Sequence, residues 1–328
     1  MNVTIKEYII QLNKNNVFYL LIGLCFILFL LTKNPVFGVL IAIFIFSLLV
    51  AEVLGGVFSH GLKKEIKETL ITILYALGLW FGASILLGAS SPINGIVTCS
   101  MLPNLERGDL VILSGGTPKT QFINVSISDF NSLLNPSTVV HYDNYSVDVD
   151  GSFFSFCAYN KKYEPACTLF LKNPEKFKES RGGFTFTYSR CEVSSIDGQY
   201  IGYSPCIDAI IYQNQSYRFD KSNDIIVYSP HASELYYPND IIHRVFLGLR
   251  TDSTTYYLTR GDNNPVADIQ AYNYINGKFN VPPSTTQLKG KVLLRIPYMG
   301  YFKLFISFFQ IGDLAFIEPE GCKSVLQS

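Results

Sequence analysis

The chain has 328 residues, with 26 basic and 26 acidic side chains. Its formal net charge is therefore zero, which argues against the broad positive surface that nucleic-acid-binding proteins need. Apolar residues make up 48% and charged residues only 16% of the chain, a composition that excludes global disorder. Because charged residues are scarcest before Ser90, the sequence predicts an integral membrane protein with a water-exposed part.

The N-terminal region contains three uncharged apolar stretches: Val17–Thr32, Val36–Ala51 and Leu70–Ala89. At about 1.5 Å per residue, only the third is long enough by itself to cross a hydrocarbon core of about 30 Å. Lys33-Asn34-Pro35 separates the first two, and proline disfavours helix both at its own position and at the residue before it. We predict about three transmembrane helices within 1–91, the first two joined by a tight turn. A single kinked helix in place of those two is the alternative.

Basic residues in short loops predict the orientation, because such loops stay on the cytoplasmic side. The turn between the first two spans carries only Lys33. The N-terminal arm and the predicted loop between the second and third spans carry more lysines: Lys6, Lys14, Lys63, Lys64 and Lys67. We therefore expect the chain after Ala89 to lie on the outer face of the membrane.

From Ser90 onward the pattern predicts β-structure. Short runs of β-branched and aromatic residues, separated by Gly, Pro, Asn and Asp, are typical of strands. The predicted strands are Leu110–Leu113, Ile225–Tyr228, Ile241–Leu249, Tyr256–Leu258 and Val292–Ile296. The later stretch Tyr298–Ile317 is apolar but interrupted by polar residues, so an interfacial segment and a marginal fourth helix are both open.

The stretch from Ser114 to Asn223 differs from its flanks, and we interpret it as a β-rich inserted domain. Aromatic residues recur at Phe153–Phe156 and alternate with threonine at Phe184–Tyr188. The stretch holds three N-x-[ST] acceptors, at Asn124, Asn144 and Asn214, and four of the seven cysteines: Cys157, Cys167, Cys191 and Cys206. Four cysteines in an outer segment predict two disulfides with three possible pairings, and buried free thiols are the alternative.

A candidate nucleophile lies just after the third apolar stretch, in the segment Cys99–Asp109, which reads CSMLPNLERGD. Pro103 fixes its own φ, and Gly108 permits a turn with positive φ before the strand at Leu110. Such a frame can hold one hydroxyl rigidly, which makes Ser100 a candidate. An exposed loop serine without a function is the simpler interpretation of this residue taken alone.

A serine nucleophile needs a base, because its own pKa is far too high. Of the four histidines, three lie in the predicted cytoplasmic loop, the insert and a separate loop: His60, His141 and His231. His243 follows a Pro-Asn-Asp turn in a predicted strand, although a lone strand histidine is more often a packed residue. Asp262 and Asp268 flank a Gly-Asp-Asn-Asn-Pro turn, where calcium binding is the rival interpretation. The spacing does not match an EF-hand loop, and neither a metal nor a cofactor is predicted.

Together these segments resemble membrane-bound type I signal peptidases of the archaeal and endoplasmic-reticulum branch. Five segments carry the resemblance, in the family's order: Ser100–Pro103 with Gly108-Asp109, Asp224–Tyr228, Asp240–Val245, Gly261–Asp268 and Gly290–Gly300. The resemblance implies a mainly β catalytic ectodomain of signal-peptidase-like fold, anchored by the N-terminal helices. Its core would comprise 92–113 and 224–301, interrupted by the insert 114–223 and followed by the apolar segment 302–328.

The resemblance also implies roles for single residues. Ser100 would be the nucleophile, His243 the general base and Asp268 the residue that orients it, with Asp262 supporting the site. A Ser–Lys dyad of the bacterial type is disfavoured, because Arg244 cannot lose its proton. An extended substrate would pair with exposed strand edges, and the expected substrate-binding residues are Ile96, Val97, Thr98, Met101, Ile241 and Ile242. Cys99 and Asn104 depart from the family pattern, so the resemblance does not predict the detailed shape of the substrate cleft.

The implied function is that of a serine endopeptidase which cleaves N-terminal signal peptides from exported precursors at the outer face of the cell membrane. Its expected partners are those precursors and the lipid bilayer, with the secretion translocon as a further possible partner and no nucleic acid. The membrane would hold enzyme and signal peptide close together, which raises their effective concentration. One alternative is a catalytically inactive membrane-anchored ectodomain that binds a partner through its insert. Another is a peptidase of the same type that acts on special precursors.

Overall fold

A computed structural model describes residues 16–32, 34–160, 164–196, 198–236, 239–304 and 320–327. These residues divide into two compact units, one of 16–86 with 298–304 and one of 87–297 with 320–327. The predicted basic positions Lys6, Lys14 and Lys33, and most of the apolar segment 302–328, lie outside the described residues.

The first unit is built from three apolar helices: α1 (Val17–Thr32), α2 (Pro35–His60) and α3 (Leu62–Leu87). The first two are separate helices, as the two-helix interpretation expected. Pro35 lies in the first turn of α2, and the Asn34 side chain caps that helix by accepting a hydrogen bond from the Val36 N–H at 3.0 Å. The two helices pack together through buried residues on both: Cys25, Phe29, Ile41 and Ala42.

Two of these helices, α2 and α3, are long and apolar enough to cross a membrane, whereas α1 has only 16 residues. The predicted loop carrying Lys63, Lys64 and Lys67 is not observed, because all three lysines lie in the first turns of α3. The break is confined to Gly61, whose positive φ of 83° ends α2. Lysine and glutamate favour helix about as well as leucine does, so a charged helical start is invisible to a search for apolar runs.

The second unit contains two seven-stranded sheets that are antiparallel apart from one parallel pair. Their strands are β1 (Ile93–Gly95), β2 (Leu110–Ser114), β3 (Phe122–Asn124), β4 (Ser137–Tyr142), β5 (Tyr145–Asp150), β6 (Phe177–Arg181), β7 (Phe184–Ser195), β8 (Tyr200–Tyr212), β9 (Gln215–Arg218), β10 (Ile225–Tyr228), β11 (Ile241–Arg250), β12 (Thr255–Arg260), β13 (Leu288–Ile296) and β14 (Ser324–Gln327). The order in the first sheet is β1-β2-β13-β10-β11-β12, with β3 parallel to β11. The order in the second is β5-β4-β6-β7-β8-β9, with β14 on β7. All five predicted strands are present.

The predicted insert is not purely β. It supplies most of the second sheet but also three short helices: α4 (Ile127–Leu133), α5 (Phe153–Tyr159) and α6 (Glu164–Lys172). The aromatic run Phe153–Phe156 indicated a strand, yet it begins α5. The Ser152 hydroxyl caps this helix by accepting a hydrogen bond from the Ser155 N–H at 3.0 Å. A local cap thus overrides the aromatic pattern.

The insert and the rest of the unit share both strands and a hydrophobic core. β3, from the insert, joins the first sheet, and β14, from the C-terminal segment, joins the second. The core includes Phe184, Phe186 and Ile210 from the second sheet and Phe246 and Leu249 from the first. The insert is therefore packed as an integral part of this unit.

All six cysteines of the second unit form disulfides. Cys157–Cys167 and Cys191–Cys206 confirm the two disulfides predicted for the insert and select one of the three pairings. Cys99–Cys322 was not predicted, and it joins the residue before Ser100 to the C-terminal segment. Cys25, in α1, is free and buried.

Candidate active site

Ser100 lies half-buried in the turn between β1 and β2. Two main-chain hydrogen bonds of 2.9 Å close the base of this turn, from the Ile96 N–H to the Asp109 carbonyl and from the Gly108 N–H to the Ile96 carbonyl. Gly108 has a φ of 90°, which a glycine adopts without strain. Met101, in the turn, and Leu105 are buried in the core beneath it. The sequence thus builds a rigid frame around one hydroxyl.

His243 and Asp268 meet Ser100 in one continuous chain of hydrogen bonds. His243 projects from β11, and its Nε2 lies 2.9 Å from the Ser100 Oγ. Its Nδ1 lies 2.6 Å from Oδ2 of Asp268, which begins a short 3-10 turn, Asp268–Gln270, after β12. The side chains of His243 and Asp268 are only 6% and 5% exposed. This is the arrangement of a serine nucleophile, a histidine base and an orienting carboxylate.

Two hydroxyls hold the Asp268 carboxylate. Thr259 donates a hydrogen bond to its Oδ2 at 2.6 Å, and Tyr228 donates to the same oxygen at 3.1 Å. Burial, reinforced by the neighbouring Asp268 carboxylate, raises the pKa of Tyr228 well above its ordinary value. The phenol therefore stays neutral and remains a donor. Sequence reasoning missed both hydroxyls. Their strands, β10 and β12, were predicted, but no pattern in the sequence indicates that these two residues contact Asp268.

Asp262 has different partners. The Arg244 guanidinium binds it through two hydrogen bonds, Nε to Oδ1 at 2.8 Å and Nη2 to Oδ2 at 2.7 Å. The Asn104 amide also donates to its Oδ2 at 2.7 Å. Bidentate arginine–carboxylate pairs of this kind are among the stronger hydrogen-bonded contacts in proteins. Asp262 thus connects β11 to the turn that carries Ser100, whereas Asp268 is the carboxylate that contacts His243.

Asn263 is a further residue that sequence reasoning missed. Its N–H donates to the Ser100 carbonyl at 2.8 Å, and its Nδ2 donates to the Cys99 carbonyl at 3.1 Å and to the Ser324 carbonyl at 3.2 Å. A Cβ on the neighbouring Gly261 would lie 2.6 Å from the Ser100 carbonyl oxygen, so this close approach requires glycine. The only sequence signal for these contacts is the Gly-Asp-Asn-Asn turn, which does not name its partners.

Donors for a developing negative charge lie beside the nucleophile. The Thr98 Oγ1 is 3.3 Å from the Ser100 Oγ. Within the described part of the chain, the Ser100 N–H has no hydrogen-bond partner. An N–H and a hydroxyl next to a nucleophile have the chemistry of an oxyanion hole.

The residues expected to bind substrate fall into two groups. Ile96, Met101 and Ile241 have buried side chains, whereas Val97 and Thr98 are exposed and Ile242 is half-buried. The first three side chains therefore belong to the core in this structure. Main-chain groups next to them remain relevant to an extended ligand, because strand pairing uses no side chains.

Among the residues that the structure describes, no strand pairs with β11 at Ile242 on the side away from β10. The Val245 N–H donates to the Asp224 carbonyl at 3.0 Å, and hydrogen-bonded pairs alternate along an antiparallel ladder. His243 therefore directs its main chain toward β10, and Ile242 directs its own to the opposite side. On that side β12 ends at Arg260, opposite Arg244. An extended chain could continue the sheet there, beside His243.

Comparison with known proteins gives no significant match, whether to a protein-family model, to a curated protein or to a solved structure.

Proposed function

We propose that this protein is a membrane-bound serine endopeptidase of the Ser-His-Asp type which removes N-terminal signal peptides from exported precursors. The observation that carries the proposal is the hydrogen-bonded chain Ser100–His243–Asp268, with links of 2.9 and 2.6 Å. The sequence resemblance to signal peptidases supplies the substrate class. The apolar helices α2 and α3 support a location in the membrane, where an apolar signal peptide would also lie.

In the proposed reaction, the Ser100 Oγ attacks the scissile carbonyl while His243 Nε2 accepts its proton. Asp268 fixes the tautomer with the proton on Nδ1 and stabilises the imidazolium that forms. The imidazolium then protonates the leaving amine, which leaves an acyl ester on Ser100. The mature protein leaves as that amine, and a water molecule deprotonated by His243 then hydrolyses the ester and releases the signal peptide. The Ser100 N–H and the Thr98 hydroxyl would donate to the oxyanion in both steps.

The substrate would bind as an extended strand along the edge of β11 at Ile242. Val97, which is exposed, lies in the irregular segment after the edge strand β1 and would contribute the opposite wall. Main-chain pairing gives affinity without sequence preference, and shallow pockets then favour small side chains at the cut. This mode suits precursors that share small residues at the cut and little else.

The test is to incubate the full-length protein in detergent with a precursor that carries a signal peptide, and to locate the cut by N-terminal sequencing. We expect a single cut at the end of the signal peptide, with no product from the Ser100→Ala variant. A precursor with large side chains at the cut serves as the substrate control and should remain uncleaved. An intact precursor in the presence of the unmodified enzyme would contradict the proposal and favour the inactive, partner-binding alternative.

A further inference from the structure

The turn that carries Asp268 is held by side chains from the insert. Arg181, on β6, is only 3% exposed, and its Nη1 donates to the Ile269 carbonyl at 2.8 Å. Its other guanidinium nitrogens donate within the insert, Nε to the Thr138 hydroxyl at 2.9 Å and Nη2 to the Gly151 carbonyl at 2.8 Å. Arg181 thus ties the main chain directly after Asp268 to the second sheet.

A second contact reaches the last residue of the same turn. Gln270 is fully buried, and its Nε2 donates to Glu179 Oε2 and to the Tyr188 hydroxyl, both at 2.8 Å. The Tyr188 hydroxyl donates in turn to Glu179 Oε1 at 2.5 Å. The Gln270 Oε1 accepts a hydrogen bond from the Ala267 N–H at 3.0 Å. The network therefore encloses the turn on both sides of Asp268.

Burying such a network costs free energy, because its polar and charged groups lose their contacts with water. Desolvation raises the pKa of Glu179, and it lowers the pKa of Arg181 to about 10, so the guanidinium still carries its charge near neutral pH. An apolar core of the same size would stabilise the fold without that desolvation cost. Hydrogen bonds are directional, so a buried polar network in which every group has a partner fixes one geometry, which apolar packing does not. Here the geometry that they fix is that of residues 267–270.

We propose that Glu179, Arg181 and Tyr188 are positioning residues, which hold Asp268 at hydrogen-bonding distance from His243. The insert is then a part of the active site as well as of the fold. The inference rests on the proposed peptidase function. Catalysis is sensitive to such positioning, since a displacement of about 1 Å can lower a rate about 100-fold.

Tyr188 offers a matched pair of variants. Tyr188→Phe removes one hydroxyl from the network, whereas Tyr212→Phe removes one from β8, where Tyr212 is also buried and donates to Asp129 at 2.8 Å. We expect Tyr188→Phe to lower kcat for precursor cleavage about tenfold or more with KM within about twofold, and Tyr212→Phe to leave kcat within about twofold. Glu179→Gln should lower kcat further, because either orientation of the new amide places its NH2 group against a donor, the Gln270 amide or the Phe153 N–H that now donates to Glu179 Oε1 at 2.7 Å. Thermal unfolding of all variants reports whether they fold.

A second readout does not depend on cleavage. The proton between His243 Nδ1 and Asp268 should give a far-downfield NMR signal, assigned by its loss in His243→Ala. We expect this signal to shift or broaden in Tyr188→Phe and Glu179→Gln and to persist in Tyr212→Phe. If the unmodified enzyme cleaves no precursor while the signal responds in this way, the proposed function fails and the positioning role stands. An unchanged signal and an unchanged kcat in Tyr188→Phe would overturn the positioning role, even if Glu179→Gln fails to fold.

Discussion

The two aspartates near the candidate nucleophile have different partners, and this difference predicts different losses. Asp268→Ala should lower kcat by about 10⁴-fold, because the His243 ring loses its fixed tautomer and orientation. Asp262→Ala should cost less activity but should destabilise the fold by about 3–5 kcal/mol, since the Arg244 guanidinium would stay buried without its partner. Precursor cleavage and denaturant unfolding of both variants measure the two effects. A dead Asp262 variant beside an active Asp268 variant would reverse the assignment.

His243→Lys tests the identity of the base. A lysine acts as a base only if its pKa falls, which requires desolvation without a neighbouring negative charge. Here Asp268 would stabilise the ammonium group and keep the lysine charged. We expect the variant to be as inactive as His243→Ala and Ser100→Ala, with no recovery of kcat from about pH 7 up to about pH 10, which is still below the ordinary lysine pKa of about 10.4. A rate near that of the unmodified enzyme would mean that the site accepts a base of the bacterial type.

At the scale of elements, residue patterns within short stretches of the sequence predicted the strands of the first sheet better than the helices. Strands β2 and β10–β13 were recognised because their β-branched runs end at Gly, Pro and Asp. The helical start of α3 was missed because it is charged, and α5 because its residues are aromatic. The contact between His243 and Asp268 was expected only from a resemblance. Contacts such as Gln270 with Glu179 join distant parts of the chain, and no spacing in the sequence encodes them.

The Cys99–Cys322 disulfide joins the residue before the candidate nucleophile to the segment that leads into the C-terminal strand β14. This disulfide spans 223 residues, whereas Cys157–Cys167 spans 10. In the chain-entropy model, the disulfide that closes the long loop stabilises the folded state by about 5 kcal/mol, and the one that closes the short loop by about 3 kcal/mol. We expect the double serine variant of Cys99 and Cys322 to unfold at lower denaturant than the double variant of Cys157 and Cys167. It should also lose activity, because Cys99 precedes Ser100. Equal unfolding midpoints would contradict the larger stabilisation that we expect from the Cys99–Cys322 disulfide.

At the scale of the whole molecule, the helices limit the possible topologies. With 26 residues each, α2 and α3 extend about 39 Å, which exceeds the hydrocarbon core, whereas α1 extends only about 24 Å. The basic start of α3 favours the cytoplasmic side. The chain after α3 is then expected outside, whether or not α1 crosses. The three disulfides and the exposed acceptor residues Asn124, Asn144 and Asn214 agree with that side.

The topology is testable with single cysteines in a Cys25→Ala background. In intact cells, a membrane-impermeant thiol reagent should label Ser128→Cys, an exposed position beside Ser126, and should not label Lys64→Cys at the start of α3. Lys64→Cys should become reactive once the cells are permeabilised, which shows that the site itself is accessible. Asn2→Cys tests whether α1 crosses the membrane. Protection of this cysteine in intact cells places Asn2 inside, as three spans require, whereas labelling means that α1 does not cross. Labelling of Lys64→Cys in intact cells would contradict both arrangements, because the basic start of α3 would then face outward.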